Sequence, residues 1–271
     1  MKRKIMSLIK TLISNIRRPE MLILPGQLSF FFLLTIIPLV TLFVSILTSL
    51  NIGSNILNDT IIYSLPDAMQ GIINMIITNK TASSNIIIFF VSTLFLASNG
   101  TDSIIRTSNQ MYNVETSSYI KRKIKAMIML VVLIVLLIFI LLVPVMGDML
   151  INLLNYISFN KISKLIMFIY NLAKFPISFI LIFFSVKILY VMAPDKKIKF
   201  SQVNDGAFFT TISWLIVTSG YSFYIENFSN YATIYGSISN LLVLMWWVYI
   251  ISYIFVLGIG LNVTEYQIKN K

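Results

Sequence analysis

Cysteine and histidine are both absent from the 271 residues, and only 11% of the chain is charged. Without cysteine there is no disulfide and no thiolate metal site. Without histidine the commonest general base and the commonest metal ligand are missing. A soluble domain carries roughly 25% charged residues, so the low charge excludes an ordinary water-exposed surface. Hydrophobic residues make up 57%, and mean hydropathy is +0.86. Several apolar runs reach the roughly 20 residues that cross hydrocarbon as a helix. The short alternating segments of a membrane β-barrel are missing. The sequence is therefore read as an all-α, polytopic membrane protein.

Net charge is +11, from 21 basic and 10 acidic residues. Basic residues collect in cytoplasmic loops and meet anionic phospholipid headgroups, which accounts for this excess without a nucleic-acid partner. The partners read from the sequence are the lipid bilayer, those headgroups, and an unidentified solute or lipid. Nothing points to a cofactor or a metal, and the residues carry no signal of oligomeric state.

Residues 1–20 form the first unit. Ile5, Leu8, Ile9, Leu12, Ile13 and Ile16 recur at helical spacing among six basic residues. That pattern predicts an amphipathic helix lying on the cytoplasmic leaflet. A cleaved signal is not expected, because the following apolar run is too long for one and no small-residue cleavage site follows. Residues 21–265 form a six-helix membrane domain, and residues 266–271 a short cytoplasmic tail.

The spans are expected at Leu22–Leu50, from Ile86 through the polar stretch after it, Ala126–Met146, Phe175–Met192, Ala207–Ile225 and Ile238–Leu261. Pro38 lies inside the first, where it is either a tolerated bend or a break lining a cavity. Residues 51–85 and 147–174 are expected outside, and Pro176 in the first turn of the fourth span. With both termini inside, only Lys80, Lys161, Lys164 and Lys174 of the 21 basic residues fall on the external side. The reverse orientation breaks the positive-inside rule.

The second span carries the most informative stretch. Its strictly apolar part, Ile86 to Ala97, is too short to cross alone. Asn99, Asp102, Arg106, Asn109 and Asn113 follow at steps of 3, 4, 3 and 4, on one helix face. A polar stripe inside a membrane faces protein, water or the interface, because lipid tails offer it no partner. Two readings stay open. Asp102 and Arg106 form a helix-end ion pair of purely structural value, or the stripe lines a polar path. The small polar residues of the fifth span, among them Thr210, Thr211, Ser213 and Thr218, fit helix packing or pore lining alike. The loop run Lys121, Arg122, Lys123 and Lys125 marks the cytoplasmic side.

The stretch Ala97-Ser-Asn-Gly-Thr-Asp-Ser-Ile-Ile-Arg-Thr-Ser-Asn-Gln-Met-Tyr-Asn-Val-Glu115, which includes Gly100, resembles the second-span signature of the YihY/BrkB membrane protein family. Three further blocks are similar to that family: Leu28 to Pro38, Tyr190-Val-Met-Ala-Pro-Asp195 with Asp205-Gly-Ala207, and Tyr235-Gly236 through Gly258-Ile-Gly-Leu-Asn262. The resemblance covers nearly the whole chain. It implies a six-span bacterial inner-membrane protein with a transport or envelope-lipid role. An old ribonuclease BN label attaches to the family. Metal-assisted RNA hydrolysis needs clustered carboxylates or histidines, whereas the acidic residues here are scattered. The family pattern near the C-terminus is similar to Gly-Ala-Glu-Leu-Asn, and Gly260 stands at its acidic position. The function expected is a transporter or translocator of a solute or envelope lipid, not an enzyme. A non-transporting envelope-assembly scaffold is the rival.

Overall fold

The computed structural model describes residues 11–49, 86–136, 160–228 and 238–269. All of the regular structure among them is helical. A short α1 covers residues 11–16, followed by α2 (Glu20–Ser49), α3 (Ile86–Tyr112) and α4 (119–136). Then come α5 (Asn160–Met192), a 3₁₀ turn (Phe200–Val203), α6 (Asn204–Phe228) and α7 (Ile238–Lys269). At 1.5 Å per residue, α2, α3, α5, α6 and α7 each have the length to cross about 30 Å of hydrocarbon. Length with apolarity is met by Leu242–Gln267 among the described residues, while Glu20–Thr35 and Pro176–Met192 are shorter apolar stretches.

The hub is α7, which packs on α2, α3 and α6. Every residue from Ile254 to Val263 is buried, so this part of the helix is covered on all sides. Close approach needs small residues. A Cβ on Gly258 would run into the Tyr190 hydroxyl and Thr210, and one on Gly206 into Asn262 and the Gly258 carbonyl. In return, the Gly206 N–H donates to Asn262 Oδ1 at 3.0 Å. Tyr190 Oη donates to the Phe255 carbonyl at 2.9 Å and lies 2.7 Å from Thr210 Oγ1. These contacts tie α5, α6 and α7 together. Gly100 does the same for α3 and α2, since a Cβ there would sit 2.8 Å from Thr35 Oγ1.

Several expectations are corrected. Pro176 does not sit in the first turn of its helix, although the apolar stretch begins there. One helix of 33 residues runs from Asn160, with Pro176 in its interior. A proline there removes one backbone bond, and the helical repeat of Ile162, Leu165, Ile166 and Ile169 continues the helix through it. The last helix, α7, continues to Lys269, into the residues 266–271 expected as a short cytoplasmic tail. The described part of the N-terminal helix packs against the helical body through one side. Asn15 is fully buried, and a Cβ on Gly260 would touch its carboxamide, so α1 is docked on α7. Lys187 is buried with its Nζ 3.8 Å from the centroid of the Phe200 ring, a cation–π contact. Pro38 lies within α2. Residues 51–85 and the Tyr235-Gly236 motif fall outside the described residues.

Candidate functional site

The polar face of α3 meets the first two turns of α4 and the turn after α5. The basic run expected to be a solvated loop is helical from residue 119. Helical spacing puts Arg122, Lys123, Ala126, Met129 and Leu130 on the buried side of α4, while Lys121 stays exposed. Two of the four basic residues, Arg122 and Lys123, thus point inward.

Asp102 is at the centre. Its Oδ2 accepts from Arg106 Nε at 2.9 Å, one turn along α3. Its Oδ1 accepts from Arg122 Nε on α4 at 2.6 Å. Arg122 Nη1 also donates to the Ser117 carbonyl at 3.3 Å. One turn earlier, Lys123 Nζ donates to Asn99 Oδ1 at 2.8 Å and lies 4.1 Å from the centre of the Phe95 ring. Close packing accompanies these bonds, since Thr101 Oγ1 donates to the Ala126 carbonyl at 2.7 Å.

Asn109 makes a different connection. Its Nδ2 donates to Asp195 Oδ2 at 2.8 Å, and the Asp195 N–H donates back to its Oδ1 at 2.7 Å. Asp195 Oδ2 also accepts from the Ser117 N–H at 3.0 Å, and its Oδ1 from Lys125 Nζ at 2.7 Å. The same ammonium donates to the carbonyls of Ala193 and Pro194, next to the C-terminal end of α5, where a cation is favoured. Burial acts to raise the Asp195 carboxyl, but Lys125, the Ser117 N–H and Asn109 outweigh it and hold it at about 2.

Asn113 does not belong to the stripe. It lies past the end of α3, exposed, with φ of 53°. The Val114 N–H bonds the Asn109 carbonyl and the Asn113 N–H the Gln110 carbonyl. This is a Schellman cap with asparagine in the left-handed position, a residue that tolerates it. Pro38, Gly100, Gly258 and Asn262 lie in the helix body, and of these Gly100, Gly258 and Asn262 act through packing. The residues of this polar cluster that the sequence reading did not place in it are Arg122, Lys123, Lys125 and Asp195. Their helical register against α3 was the available signal for the first two.

On α3 the hydroxyls of Ser103, Thr107, Ser108 and Tyr112 are buried and have no hydrogen-bond partner among the described residues. Two lateral apolar clefts lie elsewhere. One of about 430 Å³ runs between α2 and α7 past Gly26, Phe30, Met245 and Trp246. The other, about 230 Å³, is bounded by Leu12, Phe208 and Leu261. Among the described residues, no three acidic side chains gather as a metal site would require.

These features define an all-helical membrane protein whose buried ionic cluster joins three segments distant in sequence. The chain belongs to the family described as Virulence factor BrkB, whose model matches residues 12–271. A ribonuclease-like protein of Bacillus subtilis, YfkH, is 28% identical over 97% of both chains. A UPF0761 membrane protein of Vibrio atlanticus is 25% identical over 86% of this chain and 74% of its own. One from Pseudoalteromonas atlantica is 25% identical over 94% and 84%. No solved structure matches.

Proposed function

We propose that this protein is a six-span translocator of a solute or envelope lipid, with both termini cytoplasmic, and that the Asp102 cluster is its inner gate. The observation that carries this reading is a buried carboxylate shared by guanidinium groups of α3 and α4. Buried ion pairs are poor stabilisers, because desolvation offsets their attraction, so packing alone gives little reason to keep one. Ionisable groups at membrane depth are instead common along translocation paths. Separating α4 from α3 would break both Arg122–Asp102 and Lys123–Asn99, giving the element two arrangements. The buried, unpartnered hydroxyls of α3 supply the polar surface that an open path needs.

One observation favours the scaffold instead. Asn99, Asp102 and Asn109 all have protein partners. RNA hydrolysis finds no support in the acidic residues described, which nowhere gather in threes.

Asp102→Asn and Arg106→Ala variants in the native organism distinguish the two readings. The gate predicts an altered uptake or efflux phenotype at normal membrane abundance. If abundance collapses in both variants, and no phenotype separates from it, the cluster is architectural.

A further inference from the structure

The cluster around Asp102 is not electrically balanced. Arg106, Arg122 and Lys123 face one carboxylate, and among the described residues no other carboxylate bonds to any of the three. Both arginines use Nε on Asp102, and Arg122 spends Nη1 on Ser117. The Nη atoms of Arg106 make no bond among the described residues, and its side chain is 47% exposed. Lys123 is buried, its ammonium bonded to a neutral oxygen and set against an aromatic ring, and the Asp102 carboxylate that attracts it is shared with both arginines. Burying more cationic charge than one carboxylate balances is costly, because desolvation penalises each charged group. An anion arriving from the side that Arg106 exposes would relieve that cost. Planar guanidinium forks beside an ammonium match tetrahedral oxyanions, and charge-assisted bonds of this type are the strong ones.

We propose that Arg106, Arg122 and Lys123 form a binding site for a phosphate group, carried by a lipid headgroup or by a soluble phosphate. The proposal rests on the gate reading for its role, since such a ligand would compete with Asp102 for both guanidiniums and loosen α4 from α3. Binding itself is independent of whether the gate opens.

The test uses the full chain in detergent, followed by its thermal unfolding midpoint during titration. Inorganic phosphate is one probe; the others are mixed micelles with phosphatidic acid or with phosphatidylcholine as the zwitterionic control. A saturable rise in midpoint is expected with inorganic phosphate or phosphatidic acid, and not with phosphatidylcholine. Response to inorganic phosphate identifies a soluble ligand, and response to phosphatidic acid alone identifies a headgroup. Lys123→Gln and Arg106→Gln should each weaken apparent binding by about tenfold, the scale of one charge-assisted contact. Lys123→Arg, which keeps the charge, should restore most of it even if Arg106→Gln does not fold. Lys197→Gln, an exposed lysine outside the cluster, should change nothing. No saturable response, or an equal loss in Lys197→Gln, overturns the site. Saturable binding in a protein whose Asp102→Asn variant never opens would overturn the gate and leave the site standing.

Discussion

Asn109 and Asp195, 86 residues apart, hold each other reciprocally: the Asn109 amide donates to the carboxylate, and the Asp195 N–H donates to the Asn109 carbonyl oxygen. This pair fixes the end of α3 to the turn after α5. It makes one polar unit with the Asp102 cluster, because Ser117 contributes its N–H to Asp195 and its carbonyl to Arg122.

Asn109→Ala removes both bonds at once. The Asp195 N–H is then left without this partner in a partly buried turn, and the variant should lose about 2 kcal/mol of stability. Asn109→Asp should be worse, since it puts a second carboxylate against Asp195. Thermal or denaturant unfolding in detergent measures both. Equal stability of Asn109→Ala and the parent would deny the pair its anchoring role.

Acid should release the same unit. The Asp195 carboxyl is held at about 2, against an ordinary value of 3.8. A depressed carboxyl stabilises the fold fully above the ordinary value, and the contribution is lost as pH falls from about 4 to about 2. Lys125→Met removes the ammonium, so the carboxyl rises toward its ordinary value; the variant should be less stable than the parent at pH 7 and lose less stability between about pH 4 and about pH 2, so that the two profiles converge in acid. Unfolding midpoints recorded from pH 7 down to pH 2 check this. Parallel profiles for parent and variant would contradict it.

Two glycines should behave in opposite ways. Gly258→Ala drives a methyl into Tyr190 and Thr210 at the α5–α6–α7 junction, and overpacking of this kind costs about 2 kcal/mol. Gly26, in α2, has open space where a Cβ would go. Gly26→Ala should be neutral or stabilising by up to about 1 kcal/mol through helix propensity. Comparing the two unfolding midpoints separates packing from propensity.

The helical class and the starts of α3 and α6 were legible in the sequence because apolar runs and their polar flanks mark them. The inward polar face of α3 was legible because its spacing repeats at 3 and 4. What covers that face was not. Arg122 and Lys123 obey the same charge statistics whether they meet headgroups or the Asp102 and Asn99 side chains, and only the register of α4 against α3 decides. Asp195 sits 86 residues from its partner, and no local pattern announces a contact of that range. Pro176 misled because a proline reads as a start when the residues before it are weakly polar. Asn113 fitted the stripe by spacing, yet the helix ends before it. Its left-handed backbone is a property of the cap and not of the side-chain period.

The central claim is that the α3–α4 contact is a gate held shut through Asp102. The absence of native cysteine allows a clean reporter. Thr101 is buried at that contact, bonded to the Ala126 carbonyl. Thr101→Cys, placed in inside-out vesicles, is treated with a membrane-impermeant thiol reagent, with Lys121→Cys as the exposed control. A gate held shut through Asp102 gives no labelling of Thr101→Cys alone and clear labelling when Asp102→Asn or Arg122→Gln is added. A cysteine at 101 that stays protected in both folded double variants would contradict it.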